Sequence, residues 1–226
     1  MSELYNSAQE ALLGPMFQNS MASYFVFMPD EWTKQKGTNR EPSDFAWVCN
    51  NCVILIHMKS VKSHTNRQRV VRVRNEAIEK NLMQLRGWIK HWKRGQLLKG
   101  TNKFAKFSIP FSTDFFVIAL SVIKSSDAEC IAHPEVAKEL GITYCATLTQ
   151  SVIERIIGLG GSTLDLLNIM RSFSFMKIIE ESRAIDLVNE YCHHSFVAAG
   201  ADVFVAGWHR RRKILEFDEI GGIYKI

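Results

Sequence analysis

Short apolar runs alternate with longer amphipathic stretches along the chain, and this pattern predicts an α/β fold. Two apolar runs, 45–49 and 52–56, are separated by Asn50-Asn51. Asparagine tolerates positive φ, so this pattern predicts a β-hairpin closed by a two-residue turn. A third apolar run, 115–123, has the length of a buried strand.

The strongest helical pattern covers residues 72–94. Its apolar positions recur at intervals of three and four residues, which places them on one helix face: Ile78, Leu82, Leu85, Ile89 and Trp92. Similar patterns predict helices over 2–13, 134–140, 149–158 and 163–190, and strands over 142–148, 201–208 and 213–217. We therefore expect one α/β domain, residues 1–226, with a central mixed sheet flanked by helices.

The predicted hairpin brings three polar residues together. In a hairpin that turns at Asn50-Asn51, the numbers of opposed residues sum to 101, so Asp44 faces His57. Lys59 shares the face of His57, because side chains alternate along a strand. The positions between them are apolar or Cys on both faces, as in central strands that are covered on both sides. Polar groups at the rim of a buried sheet predict a functional site.

The charge is distributed unevenly along the chain. The net charge is +5, but residues 59–103 carry 13 Lys/Arg and 2 Asp/Glu, a local net of +11. The remaining residues carry 15 Lys/Arg and 21 Asp/Glu, a net of −6. A basic segment within an otherwise acidic protein favours an anionic partner, and DNA is the first candidate. The alternative is an interaction subunit whose basic helix binds an acidic protein.

The residues around the hairpin resemble the core of the PD-(D/E)XK nuclease superfamily, which has the restriction-endonuclease-like fold. In that fold an Asp begins the second core strand, and an acid-x-Lys triplet ends the next one. Here Asp44 and the triplet His57-Met58-Lys59 match those positions. The opening helix of the family often carries a Glu and the helix after the triplet a Gln, matched by Glu10 and Gln84.

The resemblance covers residues 2–123 as a nuclease-like core. Residues 124–226 then form a helical extension with short C-terminal strands. The resemblance implies a metal-dependent nuclease that acts on DNA phosphodiester bonds, in genome defence or repair. Mg²⁺ or Mn²⁺ would be the cofactor, because both ions accept carboxylate oxygens.

The resemblance also implies a role for each matched residue. Asp44 would be the central metal ligand, and Glu10 would hold the metal directly or through water. Lys59 would position water and stabilise developing charge, while Gln84 would orient groups at the site. The basic segment would contact phosphates without reading sequence, through Arg67, Arg69, Arg72, Arg74, Arg86, Lys90, Lys93 and Arg94.

His57 departs from the family pattern, because the triplet normally begins with an acid. Three outcomes are open. Glu41 could supply the missing carboxylate, or His57 could serve as a metal ligand or base. Alternatively, the site is inactive, and the protein is a nucleic-acid-binding or interaction subunit of the same fold. Whether the protein is an enzyme therefore stays open at this point.

Other features of the sequence exclude broad classes. No apolar run approaches the roughly 18–20 residues of a membrane span, and the polar N-terminus does not resemble a signal peptide. The five cysteines are scattered, which indicates reduced thiols and a cytoplasmic location. The hairpin turn explains the spacing of Cys49 and Cys52 without zinc. Helices over 149–190 could form a homodimer or dock onto a larger complex.

Overall fold

The structure is a computed structural model that describes residues 14–16, 24–33, 39–40, 43–61, 66–125, 129–159, 163–174 and 176–197. The strands are β1 (Val26–Pro29), β2 (Trp32–Thr33), β3 (Asn39–Arg40), β4 (Phe45–Cys49), β5 (Cys52–Ser60), β6 (Leu98–Thr101), β7 (Lys106–Ile109), β8 (Phe116–Lys124), β9 (Glu129–Ala132), β10 (Tyr144–Thr149) and β11 (Ile178–Glu180). The helices are α1 (Arg67–Lys93), α2 (Pro134–Leu140), α3 (Gln150–Gly158), α4 (Thr163–Ser174) and α5 (Glu181–Val197).

Nine of these strands form one mixed sheet in the order β11-β9-β10-β8-β5-β4-β1-β6-β7, and β2 pairs with β3 separately. The central strands β5, β8 and β10 are parallel, and the flanking pairs are antiparallel. Helix α1 lies in the connection from β5 to β8, because neighbouring parallel strands need a crossover connection. The predicted mixed sheet flanked by helices is therefore confirmed.

The two faces of the sheet pack against different helices. Val53 and Leu55 of β5 lie in one core with α1 and α2, whereas Ile54 and Ile56 lie in another with α3, α4 and α5. This division follows from the alternation of side chains along a strand. The buried apolar residues of α3 and α4 that the structure describes pack into the second core. The predicted homodimer would therefore have to use other surfaces of these helices.

The predicted hairpin, the long helix and three of the shorter elements are confirmed. The hairpin has the expected register, from Cys49 opposite Cys52 to Phe45 opposite Ile56, and Asn50 has a φ of 51°. The long helix is present, and its five predicted apolar positions are buried. The predicted strand at 115–123 corresponds to β8, and the predicted elements at 134–140 and 142–148 correspond to α2 and β10.

The predicted continuous helix over 163–190 is wrong. The structure instead has α4, the short strand β11 and α5. Ile178 and Ile179 pair with β9 at the sheet edge, and the Ile179 side chain is buried. Tertiary pairing thus overrides a helical periodicity that β-branched residues support only weakly. The pattern also gave no indication of β6, β7 and β9. The predicted helix 2–13 and the predicted strands 201–208 and 213–217 lie outside the described residues.

Two glycines provide a matched test of how tightly β6 packs. A Cβ added at Gly100 would lie 2.8 Å from the Met28 carbonyl oxygen and 2.5 Å from Phe107 Cε1. At Gly87, within α1, an added Cβ meets nothing within 4 Å. We expect Gly100→Ala to lower the free energy of unfolding by about 1–3 kcal/mol, and Gly87→Ala to raise it by about 0.5–1 kcal/mol. Urea titration of both variants measures these changes, and equal effects would contradict the assigned packing.

Candidate functional site

A row of polar side chains crosses the α1 face of the sheet. Asp44 begins the hairpin, and its backbone N–H donates to the Ile56 carbonyl oxygen at 2.9 Å. The strand register then places His57 opposite Ser121 and Ser121 opposite Thr147. His57, Ser121 and Thr147 are buried. Neighbouring strands otherwise present apolar side chains here, so the row is a polar band beneath the long helix.

Asp44 and His57 are in contact, as the hairpin register predicts. Asp44 Oδ2 lies 3.6 Å from His57 Nδ1, and it accepts a 2.5 Å hydrogen bond from the Met58 backbone N–H. The side chain of Asp44 is 18% exposed and that of His57 is 7% exposed. The carboxylate is therefore the more accessible of the two groups, and the imidazole lies beneath it.

Lys59 and Gln84 meet above this pair. Lys59 Nζ donates to Gln84 Oε1 at 3.4 Å, although the residues lie on different elements, β5 and α1. Both side chains are half-buried. The four predicted catalytic residues thus occupy one side of the sheet, with Asp44 next to His57 and Lys59 next to Gln84.

Asn81 is a site residue that the sequence did not reveal. Its amide nitrogen donates to the His57 carbonyl oxygen at 3.3 Å and to Ser121 Oγ at 3.0 Å, so it ties α1 to the polar row. Within the described residues, His57 Nε2 and Asn81 Oδ1 are buried without a hydrogen-bond partner. Such unsatisfied groups are costly and are found at functional positions. The sequence signal that could have identified Asn81 is its position as a polar residue within the apolar stripe of α1.

The described side chains supply only part of a metal site. In the part of the chain that the structure describes, no group of three or more His, Cys, Asp or Glu residues could hold a metal ion. Asp44 offers a carboxylate oxygen of the kind that Mg²⁺ prefers, but the imidazole beside it is buried. The other predicted ligands, Glu10 and Glu41, lie outside the described residues. Burial and the neighbouring Cys49 raise the pKa of the Cys52 thiol to about 12, which disfavours thiolate ligation at the turn.

The site lies at the carboxyl ends of parallel strands. In open α/β sheets this edge is where ligands bind. Helix α1 begins near the same edge. Arg74, in its second turn, pairs with Glu129 at the start of β9, and this end of β9 lies beside the carboxyl end of β10. The helix start is capped by Asn66, whose Oδ1 accepts from the Arg69 N–H at 3.2 Å. Helix N-termini attract anions, so this edge favours a phosphate.

The predicted basic residues on α1 do not form one open surface. Arg69 and Arg72 lie near the helix start, with Arg72 Nε 3.8 Å from Glu76 Oε1. Three of the other cations form ion pairs with carboxylates on other elements. Arg74 Nη2 lies 3.2 Å from Glu129 Oε2, Arg86 Nε lies 2.9 Å from Glu139 Oε2, and Lys90 Nζ lies 3.0 Å from Glu139 Oε1. Lys93 donates to the carbonyl oxygens of Leu140 and Gly141, while Arg94 is exposed at the helix end. Arg67 is the first residue of α1, and its side chain lies outside the described part of the structure.

Three of the residues predicted to contact phosphates, Arg86, Lys90 and Lys93, therefore face the short helix α2. Hydrogen bonds from Lys90 and Arg86 lower the pKa of Glu139. These contacts neutralise part of the charge on the side of α1 that faces α2.

His133 introduces a pH dependence of stability. Its Nε2 lies 2.8 Å from Thr147 Oγ1, and burial, reinforced by Arg86, lowers its pKa from the ordinary 6.5 to about 4. The unfolded chain binds the proton more readily, so this contribution is complete above pH 6.5 and is lost as the pH falls towards 4. Allowing for partial exposure, we expect a loss of about 1–2 kcal/mol.

Urea unfolding at pH 7, 5.5 and 4 measures this loss of stability. His133→Gln should flatten the fall in stability, whereas His91→Gln, at an exposed histidine on α1, should leave the profile unchanged. Equal acid sensitivity of His133→Gln and the wild type would refute the assignment.

No family model, curated protein or solved structure matches this chain. Among the described residues, no helix has the length and apolar character needed to cross a membrane.

Proposed function

We propose that this protein is a metal-dependent nuclease of the PD-(D/E)XK type that cleaves DNA phosphodiester bonds. The proposal is supported above all by the convergence of Asp44, Lys59 and Gln84 at one edge of the sheet. Lys59 and Gln84 are 25 residues apart in sequence, yet Lys59 Nζ lies 3.4 Å from Gln84 Oε1. The element order also agrees with the resemblance: an Asp before one strand, a Lys near the end of the next, then a helix and, after the β6–β7 hairpin, a parallel strand.

The chemistry of these groups suits phosphoryl transfer. Hydrolysis of a phosphodiester needs an oriented water molecule and neutralisation of charge that develops on the phosphate oxygens. The Lys59 ammonium supplies positive charge, and its contact with Gln84 restricts its position. Bound Mg²⁺ or Mn²⁺ would polarise the phosphate, held by Asp44 with a carboxylate from Glu10 or Glu41.

The substrate backbone would lie along the carboxyl edge of the sheet. Lys59, Arg69, Arg72 and Lys124 are among the described cations that face solvent, wholly or in part, near this edge. Arg86, Lys90 and Lys93 would instead hold α2 against the long helix. An activity of this kind would suit genome defence or repair.

Cleavage of plasmid and linear DNA in Mg²⁺ or Mn²⁺ tests the proposal. We expect Lys59→Met, which keeps the apolar stem and removes the charge, to lower the cleavage rate by about a hundredfold or more. Lys138→Met is the matched control, because Lys138 is an exposed lysine on α2. Undiminished cleavage by Lys59→Met would show that the active site lies elsewhere.

A second candidate function is a nucleic-acid-binding module of the same fold without catalysis. Asp44 is the one carboxylate that the described residues contribute to the site, which favours this alternative. It predicts salt-sensitive DNA binding without cleavage in either metal. Removing a phosphate-contacting cation such as Arg69 should then reduce the slope of log K against log salt by about one.

A further inference from the structure

The turn between β6 and β7 presents a pair of stacked aromatic rings to solvent. Phe104 in this turn is 48% exposed, and Tyr24, just before β1, is 45% exposed. Their ring centroids are 4.3 Å apart, with an interplanar angle of 17°. Large exposed aromatic side chains that contact each other indicate a binding surface more often than an isolated exposed residue does.

Asn102 fixes the position of this aromatic pair. Its Oδ1 accepts hydrogen bonds from the backbone N–H groups of Phe104 and Ala105, both at 2.8 Å. Its side-chain amide donates to the Tyr24 carbonyl oxygen at 3.2 Å. The same asparagine therefore shapes the turn and holds the segment that carries the second ring. A preformed surface loses less conformational entropy when it binds a ligand.

The aromatic pair lies in the most strongly cationic part of the chain. Residues 80–113 contain no Asp or Glu and carry eight Lys/Arg: Lys80, Arg86, Lys90, Lys93, Arg94, Lys99, Lys103 and Lys106. Three of them belong to the hairpin itself and are exposed: Lys99, Lys103 and Lys106. Lys103 Nζ lies 5.6 Å from the centroid of the Phe104 ring. The surface is therefore complementary to a polyanion that also has flat apolar faces.

We propose that the β6–β7 hairpin binds single-stranded nucleic acid, with a base stacked on the Tyr24–Phe104 pair and phosphates bound by Lys99, Lys103 and Lys106. Single strands expose the faces of their bases, whereas a duplex hides all but its terminal pairs. Aromatic side chains next to a basic surface are the usual arrangement for binding such strands. Lys103 is exposed on a flexible four-carbon stem, so its ammonium can leave the Phe104 ring and contact a phosphate.

This surface is separate from the Asp44 site. The hairpin lies on β6 and β7, while Asp44, Lys59 and Gln84 belong to the β4–β5 hairpin and α1. Binding at the aromatic pair therefore does not depend on cleavage, and it would survive in Asp44→Asn. An acidic protein would also suit the lysines, but it would not need two stacked rings, so the stack favours nucleic acid.

Fluorescence anisotropy of the full chain with labelled oligo-dT, oligo-U and a blunt duplex of equal length tests the proposal. We expect Phe104→Ala to raise the Kd for the single strands about five- to a hundredfold, as for loss of one stacked base. Phe104→Leu should show a similar loss, because it keeps apolar area without an aromatic face, while Phe104→Trp should retain binding. Met83→Ala removes another exposed hydrophobic residue, 65% exposed on α1, and should leave the Kd unchanged.

Three results would overturn the proposal. The first is an unchanged Kd for single strands in Phe104→Ala, or wild-type binding by Phe104→Leu. The second is an equal loss of affinity for the blunt duplex, which would indicate a general charge effect. The third is an effect of Phe104→Ala on sedimentation alone, which would assign the aromatic pair to contacts between copies. Phe104→Trp decides the question should Phe104→Ala fail to fold, since this variant must bind single strands and show tryptophan quenching on binding beyond that of the wild type.

Discussion

Replacing Asp44 by asparagine should lower the rate of DNA cleavage at least a hundredfold, about the effect of removing one electrostatic contact in an active site. The substitution preserves the shape of the side chain. The carbonyl oxygen of the new amide can still accept the hydrogen bond from the Met58 N–H, which holds the start of the hairpin. The negative charge is lost, and with it the described carboxylate that would hold a metal ion. Initial cleavage rates of a supercoiled plasmid measure the effect.

The choice of substitutions separates chemistry from folding. Asp44→Asn should unfold at nearly the same urea concentration as the wild type, whereas Asp44→Ala should be less stable because the Met58 N–H then loses its acceptor. DNA binding should persist in Asp44→Asn. If Asp44→Asn cleaves at the wild-type rate while Lys59→Met does not, the lysine acts without the carboxylate, and the proposed site is wrong in composition.

The geometry of Asp44 and His57 could be predicted because a two-residue turn fixes strand register. Once Asn50-Asn51 closes the hairpin, every opposed pair follows, and the predicted pairing of Asp44 with His57 corresponds to a contact at 3.6 Å. The long helix could be predicted equally well, since its apolar stripe is continuous over five positions. Local periodicity thus determines the elements and the pairs within one hairpin.

Contacts between distant elements could not be predicted in this way. Arg86 and Lys90 were assigned to a phosphate-binding surface, but their partner Glu139 lies 53 and 49 residues away along the chain. Ser121 interrupts an apolar strand, yet its alignment with His57 depends on the parallel register of β5 and β8, which a crossover helix sets. Asn81 completes this set, because it joins the helix to both strands. Long-range pairing therefore decides which polar residues form a site.

Trp92 is where the long helix, the β7 strand and the segment before β8 meet. Its side chain is 1% exposed, and its indole N–H donates to the Ile109 carbonyl oxygen at 3.2 Å. The ring packs edge-on against Phe111, with centroids 5.1 Å apart, and near-parallel to Phe115 at 6.0 Å. This side chain therefore contributes contacts from the end of α1 to both β7 and the segment before β8.

Trp92→Ala should lower the free energy of unfolding by about 3–5 kcal/mol, because it leaves a large cavity and an unpaired carbonyl group. That loss is a large fraction of the roughly 5–15 kcal/mol that stabilises a typical domain. Trp92→Phe should cost less, since it keeps an aromatic ring and loses the N–H donor. Met83→Ala, at an exposed position of the same helix, should change stability by less than about 0.5 kcal/mol. Urea unfolding followed by far-ultraviolet circular dichroism ranks the three variants.

A loss below about 1 kcal/mol in Trp92→Ala would mean that the end of α1 is not held by this cluster. The Lys59–Gln84 contact, on the same helix, would then need another source of rigidity.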